Sequence, residues 1–170
     1  MSKYLIIESS LNPNSKSKIL AKEAQSHLKQ IQTISLEDYN LPFCDGKSVY
    51  SNPKVQQLTQ EIQSAKGILI ATPIYNYTIN SALKNAIECT GQKAWSNKVV
   101  GFLVAAGGPG SYMAIMGIAN SLMLDFRCII VPRFVYALPG DFEEKTLSNP
   151  EIKERIKGLT DTFSHFTKVL

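Results

Sequence analysis

Four short runs of Ile, Val and Leu are separated by stretches whose apolar residues recur every three or four positions. This alternation constrains the fold more than any other feature of the sequence. The runs at 4–7, 67–71, 99–105 and 128–131 show little polar alternation, as strands covered on both faces do; a weaker strand candidate lies at 32–36. Between them, Leu20, Ala24, Leu28 and Ile31 make one helical stripe, and Val55, Leu58, Ile62 and Ala65 a second. Leu83, Ala86, Ile87 and Thr90 make a third, and Met116, Ala119, Leu122 (or Met123) and Phe126 a fourth. Ile152, Ile156, Leu159, Phe163, Phe166 and Val169 make the last. Each stripe can lay one face on a sheet. Ser15 or Ser17, Asn52-Pro53, Ser111 and Asn149-Pro150 stand where N-caps are needed.

Strict strand–helix alternation predicts an α/β fold: a doubly wound, five-stranded parallel sheet, order 2-1-3-4-5, with helices on both faces. A chain of 170 residues suits a single domain over 1–170. In such a sheet the winding reverses between strands 1 and 3, and ligands sit at the carboxyl ends there. The places to look are therefore the loops after Ile7, Ala71 and Ala105.

Composition narrows the partners. An apolar fraction of 44% and a charged fraction of 19% describe a globular chain. Eighteen Lys and Arg against fourteen Asp and Glu give a net charge of +4, too mild for a nucleic-acid partner. The apolar run before Glu8 is too short for a signal segment or membrane span, so a cytoplasmic protein is expected. The three cysteines, Cys44, Cys89 and Cys128, have no CxxC or metal-ligand spacing. They suggest a reducing compartment, with Cys44 the one candidate for a reactive thiol and the other two small buried hydrophobes.

The first loop, 8–18, carries Ser9, Ser10, Ser15 and Ser17 and runs into a helix. Hydroxyls and unpaired amides at a helix N-terminus suit an anion, and Lys16 and Lys18 raise the local potential. The same residues serve equally as a capping turn. Neither GxxxxGK[ST] nor GxGxxG is present. In the second loop, Pro73 should end the strand, and Tyr75 and Tyr77 flank Asn76. Aromatic faces and an amide at an exposed strand end suit a flat heterocycle, whereas either Tyr alone would read as helix packing. In the third loop, Gly107, Gly108 and Gly110 free the backbone for close approach, and Tyr112 could cover a ligand; an ordinary βα turn reads the same way. Taken together, the loops describe a site for a planar ring bearing one phosphate.

Ser9-Ser10-Leu11-Asn12, Ser15-Lys16-Ser17, Pro73-Ile74-Tyr75-Asn76, Leu83-Lys84-Asn85-Ala86 and Gly107-Gly108 resemble, in order, the motifs of the NADPH-dependent FMN reductase family, whose fold is flavodoxin-like. The likeness spans about 3–126, with the Pro-x-Tyr-Asn motif the most specific part. Asn12 stands where the family usually has Arg, Glu8 where Gly is common, Ile74 where many members have Glu, and Asn80-Ser81 where many have Pro-Gly.

The resemblance implies that Ser10, Ser15, Ser17 and the Lys16 backbone hold the phosphate of FMN. Pro73, Ile74, Tyr75, Asn76 and Tyr77 would follow the ribityl chain and ring. Gly107 and Gly108 would meet the pyrimidine edge, with Tyr112 at the rim. It further implies hydride transfer from NADPH or NADH through FMN to a small electron acceptor such as a quinone, azo compound or flavin. No catalytic side chain or metal is implied, and the family forms homodimers and homotetramers. Trp95 reads as core slightly before interface. The alternative is a non-catalytic FMN-binding electron carrier of the flavodoxin type, but such carriers are strongly acidic and this chain is not.

Overall fold

The computed structural model describes residues 4–169. Strand β1 is Tyr4–Glu8, followed by α1 (Lys16–Ser26) and β2 (Ile31–Ser35). After a long connection come α2 (Pro53–Ser64), β3 (Gly67–Tyr75), the short β4 (Thr78–Ile79) and α3 (Ser81–Trp95). Then follow β5 (Val99–Ala105), α4 (Met116–Phe126), β6 (Ile129–Ile130) and β7 (Val135–Ala137). A small hairpin of β8 (Phe142–Glu143) and β9 (Thr146–Leu147) precedes α5 (Pro150–Val169).

The main sheet runs β2-β1-β3-β5-β6, with β7 continuing along β5, and these strands pair in parallel. Position by position this is the expected order 2-1-3-4-5; only the intervening β4 changes the numbering. Alternation within each strand sends side chains to opposite faces. Leu5 and Ile7 of β1, with Val100, Phe102 and Val104 of β5, meet α2, α3 and α4. Tyr4 and Ile6, with Val99, Leu103 and Ala105, meet α1 and α5. Both faces are covered, which is why these strands read as unbroken apolar runs.

Three expectations are corrected. The last strand, expected at 128–131, is split. Pro132 has no amide to donate and Arg133 sits at φ 60°, so pairing with β5 stops after Val131 and resumes at Val135. Cys128 instead donates its amide to Leu122, closing α4 behind a left-handed Arg127. Ser111 does not cap α4. A 3₁₀ stretch, Pro109–Ile115, intervenes, and the Ser111 hydroxyl bonds the Tyr136 phenol at 2.8 Å. Finally, Pro73 does not end β3, which pairs with β5 through Pro73 and continues to Tyr75. The carbonyl of Ala71 accepts from Ser9, so Pro73, two residues on, faces the same side; β1 has already ended there and no ladder bond is lost.

The caps expected at Ser15, Asn52 and Asn149 form: each side-chain oxygen accepts an amide two residues on. Trp95 is fully buried, with its indole N–H donating to Thr90 at 2.9 Å, as the core reading requires.

Gly67 opens β3 beneath α5. A Cβ there would stand 2.6 Å from Thr167 Oγ1 and 2.7 Å from the Phe163 ring, which is fully buried and cannot yield. Gly67→Ala should lower the stability by about 1–3 kcal/mol, read as a lower urea midpoint with unchanged slope.

Candidate functional site

Parallel pairing places the ends of β1, β3 and β5 side by side, with Glu8 opposite Ala71 and Pro73 opposite Ala105. The three loops that follow therefore share one edge of the sheet. The first two are also bonded to one another. Ser9 donates its amide to Ala71 at 2.9 Å and its hydroxyl to Asn80 Oδ1 at 2.8 Å. Thr72 donates to the same oxygen at 3.0 Å, and Asn80 Nδ2 returns a bond to the Ser9 carbonyl at 2.7 Å. Ser9, Thr72 and Asn80 are all buried. Asn80 precedes α3 but makes no side-chain cap; its amide is spent on tying the first loop to β3.

In the first loop Ser10 is buried, and its hydroxyl accepts the amide of Asn12 at 3.2 Å. Ser15 caps α1 through the Ser17 amide, and the two hydroxyls lie 2.8 Å apart. The amide of Lys16 has no acceptor among the described residues, so the helix end offers at least one unspent donor. Both lysines have partners within the chain. Lys16 Nζ lies 5.5 Å from the centre of the Phe142 ring, and Lys18 pairs with Glu37 at 2.7 Å. The Glu8 carboxyl at the strand end is pushed above its usual range, chiefly by burial and in part against the pull of Lys18.

The second loop is a tight hairpin. Ile74 pairs with Ile79 and Tyr75 with Thr78 across two residues at positive φ, Asn76 at 50° and Tyr77 at 61°. That is a two-residue turn of the primed type, in which Asn is favoured. Ile74 and Ile79 anchor the hairpin in the core, while Tyr75 and Tyr77 stand out, Tyr77 with 74% of its surface exposed. The Tyr77 hydroxyl reaches over the third loop and would meet a Cβ on Gly110 at 3.7 Å.

In the third loop none of the glycines takes a positive φ, so conformational freedom is not their role. The space above them is open: a Cβ on Gly107 or Gly108 would have nothing within 4 Å. The loop is held from behind, where the Tyr136 phenol donates to the Gly108 carbonyl at 2.5 Å. Tyr112 stacks on Phe134, with ring centres 4.8 Å apart, and keeps a half-exposed face at the rim.

Two clefts flank the start of α3. A cleft of 580 Å³ lies between the hairpin and α4. Its walls include Tyr75, Asn76 and Lys84 on one side and Gly117, Ile118 and Ser121 on the other. A smaller one of 290 Å³ lies between Leu11, Phe43 and Asn85. Of the expected site residues, Tyr75 and Asn76 line the larger cleft, whereas the serines of the first loop, Gly107, Gly108 and Tyr112 are not among its walls. Gly117, Ile118 and Ser121 carry no motif and are brought to the cleft by the packing of α4. Asn80 was visible in the sequence only as a departure from Pro-Gly.

Asn80→Ala should cost about 2–4 kcal/mol, because the hydroxyls of Ser9 and Thr72 and the carbonyl of Ser9 lose buried partners together. Thermal and urea melts against the natural protein measure it; Asn80→Asp, which sets a carboxylate oxygen against the Ser9 carbonyl, should fare no better.

The model of the NADPH-dependent FMN reductase family matches residues 2–143. An NAD(P)H-dependent FAD/FMN reductase from Geobacillus thermodenitrificans is 34% identical over 76% of this chain and 71% of its own length. A quinone reductase from Pseudomonas putida is 28% identical over 67% of this chain and 65% of its own length. Further curated reductases align over 56% to 65% of their lengths. Among solved structures, the flavoenzyme NAD(P)H:(acceptor) oxidoreductase FerB from Paracoccus denitrificans superposes with a TM-score of 0.81 at 20% identity, covering 99% of this chain and 98% of that one. With the matched model spanning most of the sequence, and the sheet edge built as that fold requires, the chain belongs to the NADPH-dependent FMN reductase family.

Proposed function

We propose that the protein binds FMN across the three loops and works as an NAD(P)H-dependent oxidoreductase on a small acceptor, a quinone, azo compound or flavin. The observation that carries this reading is the convergence of the three loops on one edge, the first two bonded through Asn80, with open space over Gly107 and Gly108. A ring lying there would meet bare backbone in the third loop and the phenols of the second. Neutral donors suit a phosphate at the other end: the Ser10, Ser15 and Ser17 hydroxyls and the Lys16 amide stand at the positive end of the α1 dipole.

When bound, FMN supplies the redox chemistry, taking a hydride from NAD(P)H and passing two electrons to the acceptor. The chain's own residues position and shield. Ser15 and Ser17 fix the phosphate end, and the rigid hairpin holds Tyr75 and Asn76 at the mouth of the larger cleft, where an acceptor can enter. Backbone amides of the third loop would stabilise negative charge developing on the ring edge they face.

The exposed apolar side chains Met113, Met116, Met123 and Leu124 cluster on α4 and the turn before it, beside that cleft, with Leu124 76% exposed. Apolar surface of this kind suits self-association, so a homodimer or homotetramer through this face belongs to the same reading.

The protein as purified should show flavin absorbance, or acquire it on adding FMN, and should oxidise NADPH or NADH when a quinone is present. A colourless protein that takes up no FMN overturns the reading; flavin without NAD(P)H turnover leaves an electron carrier. Ser17→Ala should weaken FMN binding about tenfold or more by fluorescence titration, the loss of one hydrogen bond to a charged group. Leu124→Glu should shift the light-scattering mass toward the monomer.

A further inference from the structure

The connection between β2 and α2 is fastened to α3 chiefly by the side chain of Asn85. Its Nδ2 donates to the Pro42 carbonyl at 2.9 Å, and its Oδ1 accepts the Cys44 amide at 2.9 Å. One turn further along α3, the Cys89 thiol donates toward the same Oδ1 at 3.8 Å and toward the Pro42 carbonyl at 3.6 Å. Cys44 and Cys89 thus converge on a single amide oxygen, one from a loop and one from a helix. Cys44 packs against the small apolar cluster that contains Cys89, Val49 and Val55.

The two side chains share one environment, the Asn85 amide and the apolar cluster around Val49 and Val55. The Cys89 thiol is pushed up to about 11, first by burial and next by the charge and hydrogen bond of Cys44. Their access differs: Cys44 is half-buried in a loop, whereas Cys89 is buried at the wall of a shallow cleft of 300 Å³ beside Tyr50 and Thr59. Cys128 has no part in this arrangement, being buried elsewhere with its thiol donating to the Trp95 carbonyl at 3.1 Å.

We propose that Cys44 and Cys89 are a peroxide-sensitive dithiol, a modification site at which oxidation ties the β2–α2 connection to α3 by an intramolecular disulfide. The chemistry balances in two steps. Cys44 takes an oxygen from hydrogen peroxide, forming a sulfenic acid and releasing water. The Cys89 sulfur then attacks the Cys44 sulfur, the S–O bond breaks, and the oxygen leaves as a second water with the Cys89 proton. Overall, two thiols lose two electrons and two protons, and one peroxide becomes two waters. The order follows from access and protonation: at neutral pH Cys89 holds its proton, so the more accessible Cys44 is oxidised first and Cys89 resolves it. The tie would stiffen Pro42 and Phe43 beside the smaller cleft, next to the first loop. Nothing in this step depends on flavin binding.

Trypsin separates the two cysteines into peptides 30–47 and 85–93. The whole protein, reduced, desalted and treated with equimolar hydrogen peroxide, is alkylated with N-ethylmaleimide and digested without reductant. The expected product is one species joining the two peptides, lighter than their sum by two hydrogens, from a chain that still migrates as a monomer on a non-reducing gel, and released by dithiothreitol. Cys44→Ser and Cys89→Ser should each abolish it, while Cys128→Ser retains it. Recovery of the two peptides separately, whether alkylated or with Cys44 carried on to a sulfinic acid, overturns the proposal. So does a cross-link found only between two chains. The mapping on the natural protein decides the matter even if a serine variant fails to fold.

Discussion

The site depends on one buried knot of hydrogen bonds, in which Asn80 serves Ser9 and Thr72 at once. Parallel strands bring their ends together, but they do not fix the loops that leave them. Loop backbone at a strand end has no ladder to satisfy it, and any group buried there must find a partner or cost free energy. Here one amide answers two hydroxyls and a carbonyl from two strands. A polar side chain with both a donor and an acceptor, short enough to stay buried before a helix, is needed at this position; Asn has that form and Pro does not. The departure at Asn80-Ser81 is therefore a different solution to holding the same edge.

The second constraint is the hairpin that extends β3. Its strand continues past Pro73 because the missing amide faces the side where β1 has already stopped. Pairing with β4, Ile74 opposite Ile79 and Tyr75 opposite Thr78, then extends as a ribbon what would otherwise end in a loose loop. The positive φ at Asn76 and Tyr77 costs some backbone strain, more at Tyr77 than at Asn76, and the buried Ile74–Ile79 pair offsets it. The outcome is an aromatic pair held on a rigid, twisted ribbon, with Tyr77 leaning to the third loop and Tyr75 to the cleft.

Most of the scaffold was legible because burial on both faces writes itself into the sequence as unbroken apolar runs. Ile6 and Ile7 point to opposite helical layers yet must both be apolar. The family motifs likewise marked loop residues that the sheet does bring to one edge. What escaped depended on contacts distant in sequence. Whether Pro73 ends a strand is decided by where β1 stops, and Ser111 caps no helix because Tyr136 claims its hydroxyl. Gly117, Ile118 and Ser121 reach the cleft only through the packing of α4, and Cys44 meets Cys89 through Asn85 and a shared apolar cluster. Local pattern carries no signal for such meetings.

The electrostatics of the proposed phosphate end follow from the same long-range contacts. A loop with two lysines reads as a cationic site, but one ammonium lies over Phe142 and the other is paired with Glu37. Asn12, where the family usually has Arg, adds no charge and is itself folded into the turn, its Oδ1 accepting the amide of Asn14. Half-buried Glu8 adds a negative group at the neighbouring strand end. Attraction for a dianion must then come from short-range terms: hydroxyls, the amide of Lys16, and the helix dipole, which fades within about one turn. Such terms depend steeply on position, whereas a mobile lysine tolerates displacement. The knot at Asn80 therefore matters for binding as well as for stability. With Lys18 paired and Lys16 lying over Phe142, the neutral donors matter most, and it is the buried anchoring of the first loop that holds them.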